Sequence, residues 1–356
     1  LTQRAGKAQL PAVEIIDMKE TLVNGPETIF SDQLKKKLLD RLHKGEQSVL
    51  MLNRRGFSSF VMCRDCGFVP RDPNCNLAMT LHMDSHTLKC HYCGHEEPIP
   101  TICANCGSKR IRYYGTGTEK VEQELAEWLP EARVLRMDQD TTRKKGSMDK
   151  LLQKFGDHQA DSLLGTQMIA KGLDFPDVTL VGVLNADTAL GLPDFHASER
   201  TFQLITQVSG RAGRAQKAGE VLVQTFNPEH YAIAYAKHHD YEGFYRQEMA
   251  VRHAGNYAPY YYTVQIQASH ADENEAAKQM LQIARWLKKQ AGSDIIILGP
   301  SPKPIAKMRN RYYFQIILKF KQRDAMDEHL QELQDRSQKA KDGFKLSIDR
   351  EPVSFM

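Results

Sequence analysis

All seven cysteines of this chain fall between Cys63 and Cys106, and that clustering constrains the fold more than any other feature. Four short corners follow one another: Cys63-Arg-Asp-Cys66-Gly, Asp72-Pro-Asn-Cys75, Cys90-His-Tyr-Cys93-Gly and Cys103-Ala-Asn-Cys106-Gly. Two thiolates two residues apart can grip one metal ion while backbone amides point at the sulfurs. A glycine after the second cysteine lets the chain turn. Thiols used this way belong to a reducing compartment rather than to secreted disulfides. Two tetrahedral zinc sites need eight ligands, and the segment offers seven cysteines, with Asp72 where an eighth would fall. The natural pairing is nested. Cys63, Cys66, Cys103 and Cys106 hold one Zn2+, and Cys75, Cys90 and Cys93 hold a second with Asp72 as its fourth donor. His82, His86, His91 and His95 are alternative donors for the inner ion. The zinc is expected to be structural, because the segment has few apolar residues and metal binding would supply its folding energy. The inner, Asp72-containing site should lose zinc to a chelator before the outer one.

On both sides of this segment the sequence reads as alternating strands and helices. Ala12–Ile16 is a short apolar strand, and Ser31 can cap a helix whose Leu34, Leu38, Leu39 and Leu42 share a face. That helix stops near Gly45, and Ser48–Leu52 is a compact apolar strand. Asn53-Arg54-Arg55-Gly56 then leaves the strand's carboxyl end, where α/β sheets place their ligands. After the cysteines, Ile111–Tyr114 resumes the sheet. Gly115-Thr-Gly turns into a helix running to about Leu129, with Val121, Leu125, Trp128 and Leu129 on its apolar face. Thr116 and Glu119 have capping-box spacing. Arg133–Met137 is a strand and Met148–Phe155 a helix. With 356 residues, 41% hydrophobic and 26% charged, the chain can build two or three cored domains, and its net charge of +4 argues for no particular partner. No apolar run approaches membrane-spanning length. The chain begins at Leu1 without a signal-peptide pattern, which reads as a fragment or a processed chain.

Two stretches carry the chemistry. In Gly165-Thr-Gln-Met-Ile-Ala-Lys-Gly172, a strand runs into a loop with Thr166, Gln167, Lys171 and Asp174. Thr166 and the loop amides could hold a nucleic-acid phosphate, Lys171 could balance its charge, and Asp174 could accept from a sugar hydroxyl. In Gln207-Val-Ser-Gly-Arg-Ala-Gly-Arg214, Arg211 and Arg214 sit three apart at the end of a helix starting near Ser198. Arginine's permanent charge and planar fork suit a phosphate whose charge grows during transfer. The plainer alternative is two cations favouring the negative end of a helix dipole. One strand separates the stretches, so both should open at the same sheet edge.

These two stretches resemble motifs V and VI of superfamily 2 helicases. With Leu52-Asn-Arg-Arg-Gly-Phe57 and the four cysteine corners, the likeness narrows to the PriA family of replication-restart helicases, whose zinc insert interrupts the second helicase lobe. The resemblance covers essentially the whole chain. It implies a RecA-like second lobe with a cysteine-rich zinc-binding insert. Arg211 and Arg214 would face ATP phosphates. Gln207, Gly210, Thr166, Gln167, Lys171, Gly172 and Asp174 would couple the nucleotide to a DNA backbone. Asn53, Arg54 and Arg55 match the segment leading into the insert. It further implies an ATP- and Mg2+-dependent 3′→5′ DNA helicase, in the cytoplasm at the bacterial nucleoid. Such an enzyme recognises stalled forks and assembles the primosome with helicase-loading proteins and single-stranded DNA-binding protein. No Gly-x-x-x-x-Gly-Lys-Ser/Thr and no Asp-Glu-x-His occurs in the chain. It is therefore expected to be the carboxyl-terminal half of such an enzyme, inactive alone and monomeric. The alternative is a zinc-containing module that binds DNA or protein without ATPase activity.

The last third has another rhythm. Strand signals at Tyr261–Gln267, Ile295–Leu298, Tyr312–Phe320 and Phe344–Ile348, with helices at 273–290 and 323–336, give β-α-β-β-α-β, the α+β ferredoxin-like order. From Ser301 to Arg323 there are seven Lys or Arg and no acid, interleaved with Tyr312, Tyr313 and Phe314. Basic groups can track phosphates while rings stack on bases, which points to Lys307, Arg309, Arg311 and Tyr313 as contacts for branched or single-stranded DNA. The family resemblance adds that Arg311 and Gln315 hold the acidic tail of single-stranded DNA-binding protein. The expected organisation is lobe at 1–56, zinc insert at 57–110, lobe again at 111–228, helical connector at 229–259 and carboxyl-terminal domain at 260–356.

Overall fold

A computed structural model describes residues 10–23, 28–52, 60–73, 77–82, 85–90, 93–114, 118–138, 141–142, 144–170, 175–212, 218–339 and 343–355. The chain opens with β1 (Ala12–Asp17), α1 (Met18–Val23), α2 (Asp32–His43) and β2 (Gln47–Leu52). The insert then supplies β3 (Phe60–Cys63), β4 (Thr80–His82), β5 (Thr87–Lys89), β6 (Glu96–Pro98) and β7 (Ile111–Tyr114). The first pattern resumes with α3 (Thr118–Trp128), β8 (Val134–Met137), α4 (Ser147–Gly156), β9 (Ser162–Gly165), a 3-10 turn Gln167–Ala170, and β10 (Val178–Asn185). It ends with α5 (Asp187–Leu190), α6 (Ala197–Ser209), β11 (Glu220–Thr225), α7 (Tyr231–Lys237) and α8 (Tyr241–Ala254). The remainder is β12 (Tyr262–His270), α9 (Glu273–Gln290), β13 (Ile296–Met308), β14 (Arg311–Phe320), α10 (Asp327–Lys339) and β15 (Lys345–Arg350).

The first sheet is parallel, in the order β1-β11-β10-β2-β9-β8. Successive side chains on a strand point to opposite faces, and both faces here are covered. Val49 and Met51, Val181 and Val183, and Val221 and Val223 join one core with Phe155 of α4 and Ile205 and Val208 of α6. Leu50, Leu180 and Leu222 join the other with Leu34 and Leu38 of α2 and Val121 and Leu125 of α3. This is the RecA-like α/β layer expected from the strand–helix alternation.

The start of α2 is fixed from within. Ser31 Oγ accepts from the Leu34 amide, and the buried Gln224 side chain accepts from the Ser31 amide while donating to the Ile29 and Leu184 carbonyls. One expectation for α2 is corrected. Leu39 is exposed, because at 100° per residue it falls off the Leu34–Leu38 seam. Arg41 takes the seam instead, buried and paired with Glu46 and Glu220.

The carboxyl-terminal sheet runs β13-β14-β12-β15, all antiparallel, with both helices on one face. This is the ferredoxin-like arrangement. Val264, Ile266, Ile316 and Leu318 face α9 and α10. The alternating set, Gln265, Gln315, Ile317 and Lys319, lies on the opposite face and is buried as well. Two boundaries move. β13 runs ten residues past the expected Leu298, to Met308, and α10 begins at Asp327 after the turns Ala325 N→Gln322 O and Asp327 N→Asp324 O. Among the described residues, no helix is long and apolar enough to cross a membrane.

Candidate zinc and nucleotide sites

The insert leaves the parallel sheet after β2, and Ile111–Tyr114, expected to resume that sheet, instead pairs antiparallel with β3 and closes the insert. Three corners repeat one backbone pattern. The Cys63 amide donates to the Phe68 carbonyl and the Gly67 amide to the Cys63 carbonyl. Cys90 with His95 and Gly94, and Cys103 with Ser108 and Gly107, do the same. Gly67 has φ +75°, and a Cβ there would lie 2.3 Å from the Phe226 carbonyl oxygen of the lobe. Only glycine serves a corner this close to the sheet.

The four outer cysteines converge, with Cys63–Cys106 and Cys66–Cys103 sulfurs 3.6 Å apart and all four within 4.8 Å of one another. A Zn–S bond of about 2.3 Å in a tetrahedron gives S–S edges of about 3.8 Å, so the cradle fits the ion. Asp65 ties two corners together, accepting from Ser108 and, at 2.7 Å, from Arg110. Burial raises the Cys66 thiol, but the Asn105 side chain, the Phe68 amide and the neighbouring cysteines outweigh it and bring it down to about 7. The Ser108 amide lowers Cys106, yet its thiol neighbours push it up to about 12. Packed thiols thus hold protons that a bound cation would displace.

The inner corner gathers Asp72, Cys90 and Cys93. Cys75, the fourth expected member, and His91 lie outside the described residues. Asp72 is 1% exposed, and both its oxygens lie 3.4 Å from the Cys93 sulfur.

The two motif stretches meet through the 3-10 turn Gln167–Ala170, which packs against β2 and α6. Thr166 is half-buried and its carbonyl accepts from the Ile169 amide. α6 is shorter than expected at its end. Gly210 caps it, and Arg211 N→Val208 O closes a tighter turn, so Arg211 stands just beyond the helix rather than on its face. Gln207 is exposed on the last turn. Lys171, Gly172, Asp174, Arg214 and Asn53–Gly56 lie outside the described residues, as does the side chain of Gln167. Sequence reasoning missed a groove of about 360 Å3 beside Gln207, lined by Phe202, Tyr241, Phe244 and Tyr245. Its available signal was Tyr241 and Tyr245 one helical turn apart on α8.

The basic hairpin divides. Lys307 and Arg309 are exposed, with Lys307 Nζ 4.8 Å from the Tyr312 ring centre. Arg311 is half-buried and donates to Ser269 and to the Gly343 carbonyl, and Tyr313 is half-buried on the same strand. Lys303 donates to Gln267, and Lys319 is buried 3.5 Å over the Tyr257 ring. Gln315 is fully buried and accepts from Gln265. It lies on the covered face of the sheet beside Gln265.

Comparison with known proteins agrees with this geometry. Residues 73–98 match the PriA DNA helicase Cys-rich region domain, 99–216 the helicase conserved C-terminal domain, and 253–353 the primosomal protein N C-terminal domain. The replication restart protein PriA of Bacillus subtilis is 51% identical over all of this chain and 44% of its own length. The Synechocystis protein of that name is 40% identical over 90% of this chain and 39% of its own length. The Haemophilus influenzae one is 35% identical over 99% and 48%. The chain thus spans about half the length of the curated relatives it matches. Among solved structures, the C-terminal domain of the DEAD-box protein Dbp5 superposes with a TM-score of 0.34 at 12% identity, covering 68% of this chain and 98% of that one. The RecA-like lobe interrupted by a zinc ribbon, the matches in chain order and the identity over the full chain agree: the chain belongs to the PriA family.

Proposed function

We propose that this chain is the second lobe, zinc insert and carboxyl-terminal domain of an ATP-dependent 3′→5′ DNA helicase that acts on stalled replication forks and assembles the primosome. The observation that carries this reading is the contact of the 3-10 turn Gln167–Ala170 with α6, whose last turn carries Gln207 and whose capping turn carries Arg211. A strand-tracking loop and a phosphate-sensing arginine on adjoining elements can move together. Arg211, and Arg214 after it, would stabilise charge growing on the ATP γ-phosphate. Gln207 and Gly210 would shape that turn. Thr166, Gln167, Lys171, Gly172 and Asp174 would hold the DNA backbone, so that closing of the nucleotide cleft shifts the strand. ATP and Mg2+ would bind chiefly to a P-loop lobe in the longer protein.

Zinc would be held at two places, by Cys63, Cys66, Cys103 and Cys106, and by Cys75, Cys90 and Cys93 with Asp72. The ion supplies a rigid cross-link there, and the cysteine corners position the insert beside the lobe. Lys307, Arg309, Arg311 and Tyr313 would contact single-stranded or branched DNA. Gln315, on the same strand, would join Arg311 in holding the acidic tail of single-stranded DNA-binding protein. Single-stranded DNA-binding protein and helicase-loading proteins are the partners this reading implies, with the nucleoid as the place of action. The chain by itself would bind DNA without turning over ATP.

The test is DNA-stimulated ATPase and 3′→5′ unwinding by the protein that carries this chain together with a P-loop lobe. Arg211→Ala should abolish both and leave DNA binding in place. The chain alone should show no turnover, and turnover by the chain alone that Arg214→Ala removes would overturn the reading.

A further inference from the structure

The inner metal corner is built against the carboxyl-terminal domain. Gly94, which closes that corner, has φ +84°, and a Cβ there would lie 3.4 Å from the Pro300 carbonyl oxygen and 3.5 Å from Ser301 Cβ on β13. Cys90 and Cys93 pack in one apolar cluster with Leu77 of the insert, Leu298 and Ile317 of the carboxyl-terminal sheet, and Phe355.

Phe355 reaches this place through an anchored tail. Val353 is 84% exposed, whereas Phe355, two residues on, is fully buried. The Val353 carbonyl accepts from Arg200 at 3.1 Å, and Ser354 Oγ donates to Asp194 at 3.0 Å. The Phe355 carbonyl accepts from Gln265 at 3.2 Å. Its ring lies 6.1 Å from that of Phe195, which stacks on Tyr257 at 4.6 Å. Lobe, insert and carboxyl-terminal domain therefore meet on one side chain, beside two of the inner cysteines.

We propose that the inner corner is a metal-dependent joint. Its ion fixes the carboxyl-terminal domain onto the insert, and Phe355 is the positioning residue that keeps Cys90 and Cys93 in ligating geometry. The inference rests on the two-ion reading above. Linkage makes the effect mutual, because whatever the packed tail contributes to zinc affinity, bound zinc returns to the docking of the tail.

The test is chelator-driven zinc release from the full chain, followed with a colorimetric indicator, together with hydrogen exchange of β12 and β14. Wild type should hold two ions. Phe355→Ala should speed the release of one ion about tenfold or more, as loss of an outer-shell support does, and leave the other unchanged. Phe355→Leu, which refills most of the volume, should restore the slow release. Removing the faster-leaving ion from wild type should raise exchange in β12 and β14 without unfolding the parallel sheet. Should Phe355→Ala fail to fold, Ser354→Ala, which loosens only the tail, should give the same change in weaker form. A wild type that holds one ion overturns both the two-ion reading and the joint. Two ions with release unchanged by these substitutions overturn the joint alone.

Discussion

The Cys93 sulfur lies 3.4 Å from both carboxylate oxygens of Asp72, a residue only 1% exposed. A carboxylate this close to two thiols can share a divalent cation with them. Oxygen is a harder donor than sulfur, so this corner should hold zinc less tightly than the four-cysteine cradle. Asp72→Cys should slow chelator-driven release of the weaker ion, and Asp72→Ala should speed it, with the tighter ion unaffected in both. Faster release from Asp72→Cys would show that Asp72 is not a ligand.

Arg211 makes a separate prediction. It stands in the turn beyond α6, where its planar fork rather than charge alone would matter. In the protein carrying a P-loop lobe, Arg211→Lys should fail to substitute. DNA-stimulated kcat should fall about 100-fold or more while KM for ATP changes little. A variant with wild-type kcat would remove Arg211 from the nucleotide site.

At the tip of the β13–β14 hairpin, Arg309 and Asn310 have φ +51° and φ +58°. The two-residue turn with both residues left-handed suits Asn-Gly or Gly-Gly, and arginine there costs about 1 kcal/mol. A charge kept at a strained position points to a use for the charge. Arg309→Gly should therefore raise the thermal midpoint yet weaken single-strand binding. Its salt dependence, log Kobs against log salt, should flatten by about 0.7 for one lost phosphate contact. An unchanged slope would remove Arg309 from the DNA interface.

How far the sequence reveals this molecule follows from which contacts are local. The corners were legible because a Cys-x-x-Cys-Gly turn is made by five adjacent residues, and the same holds for the Asp272-capped α9, found at 273–290 as its periodicity predicts. Leu39 falls off the stripe by helical geometry alone, but that Arg41 fills the seam was not legible, because its contact with Glu220 joins residues far apart in sequence. The burial of Gln315 and Lys319 was illegible for the same reason. Their strand alternates as a half-exposed one would, and it is the docking of the insert, of Phe355 and of Gly255 and Tyr257 that covers its polar face. Of the candidate site, the residue types were visible, but the turn that carries Arg211 off the helix depends on Gly210 capping α6 before the arginines.

His230, the cap of α7, gives the lobe a pH-dependent stability. Its Nδ1 accepts from the Ala232 amide at the start of α7, and burial together with the nearby Arg71 lowers its pKa from 6.5 to about 4. As pH falls below 6.5 the unfolded chain gains a proton there and the folded chain does not. The stability tied to a neutral His230 is therefore complete above about pH 6.5 and is lost as pH drops towards 4, by about 1–3 kcal/mol. Asparagine caps helices well and cannot titrate. Urea midpoints at pH 7 and pH 5 should accordingly differ less for His230→Asn than for wild type, so that the variant gains on wild type as the pH falls. Equal losses in both would mean that the imidazole titrates normally in the fold.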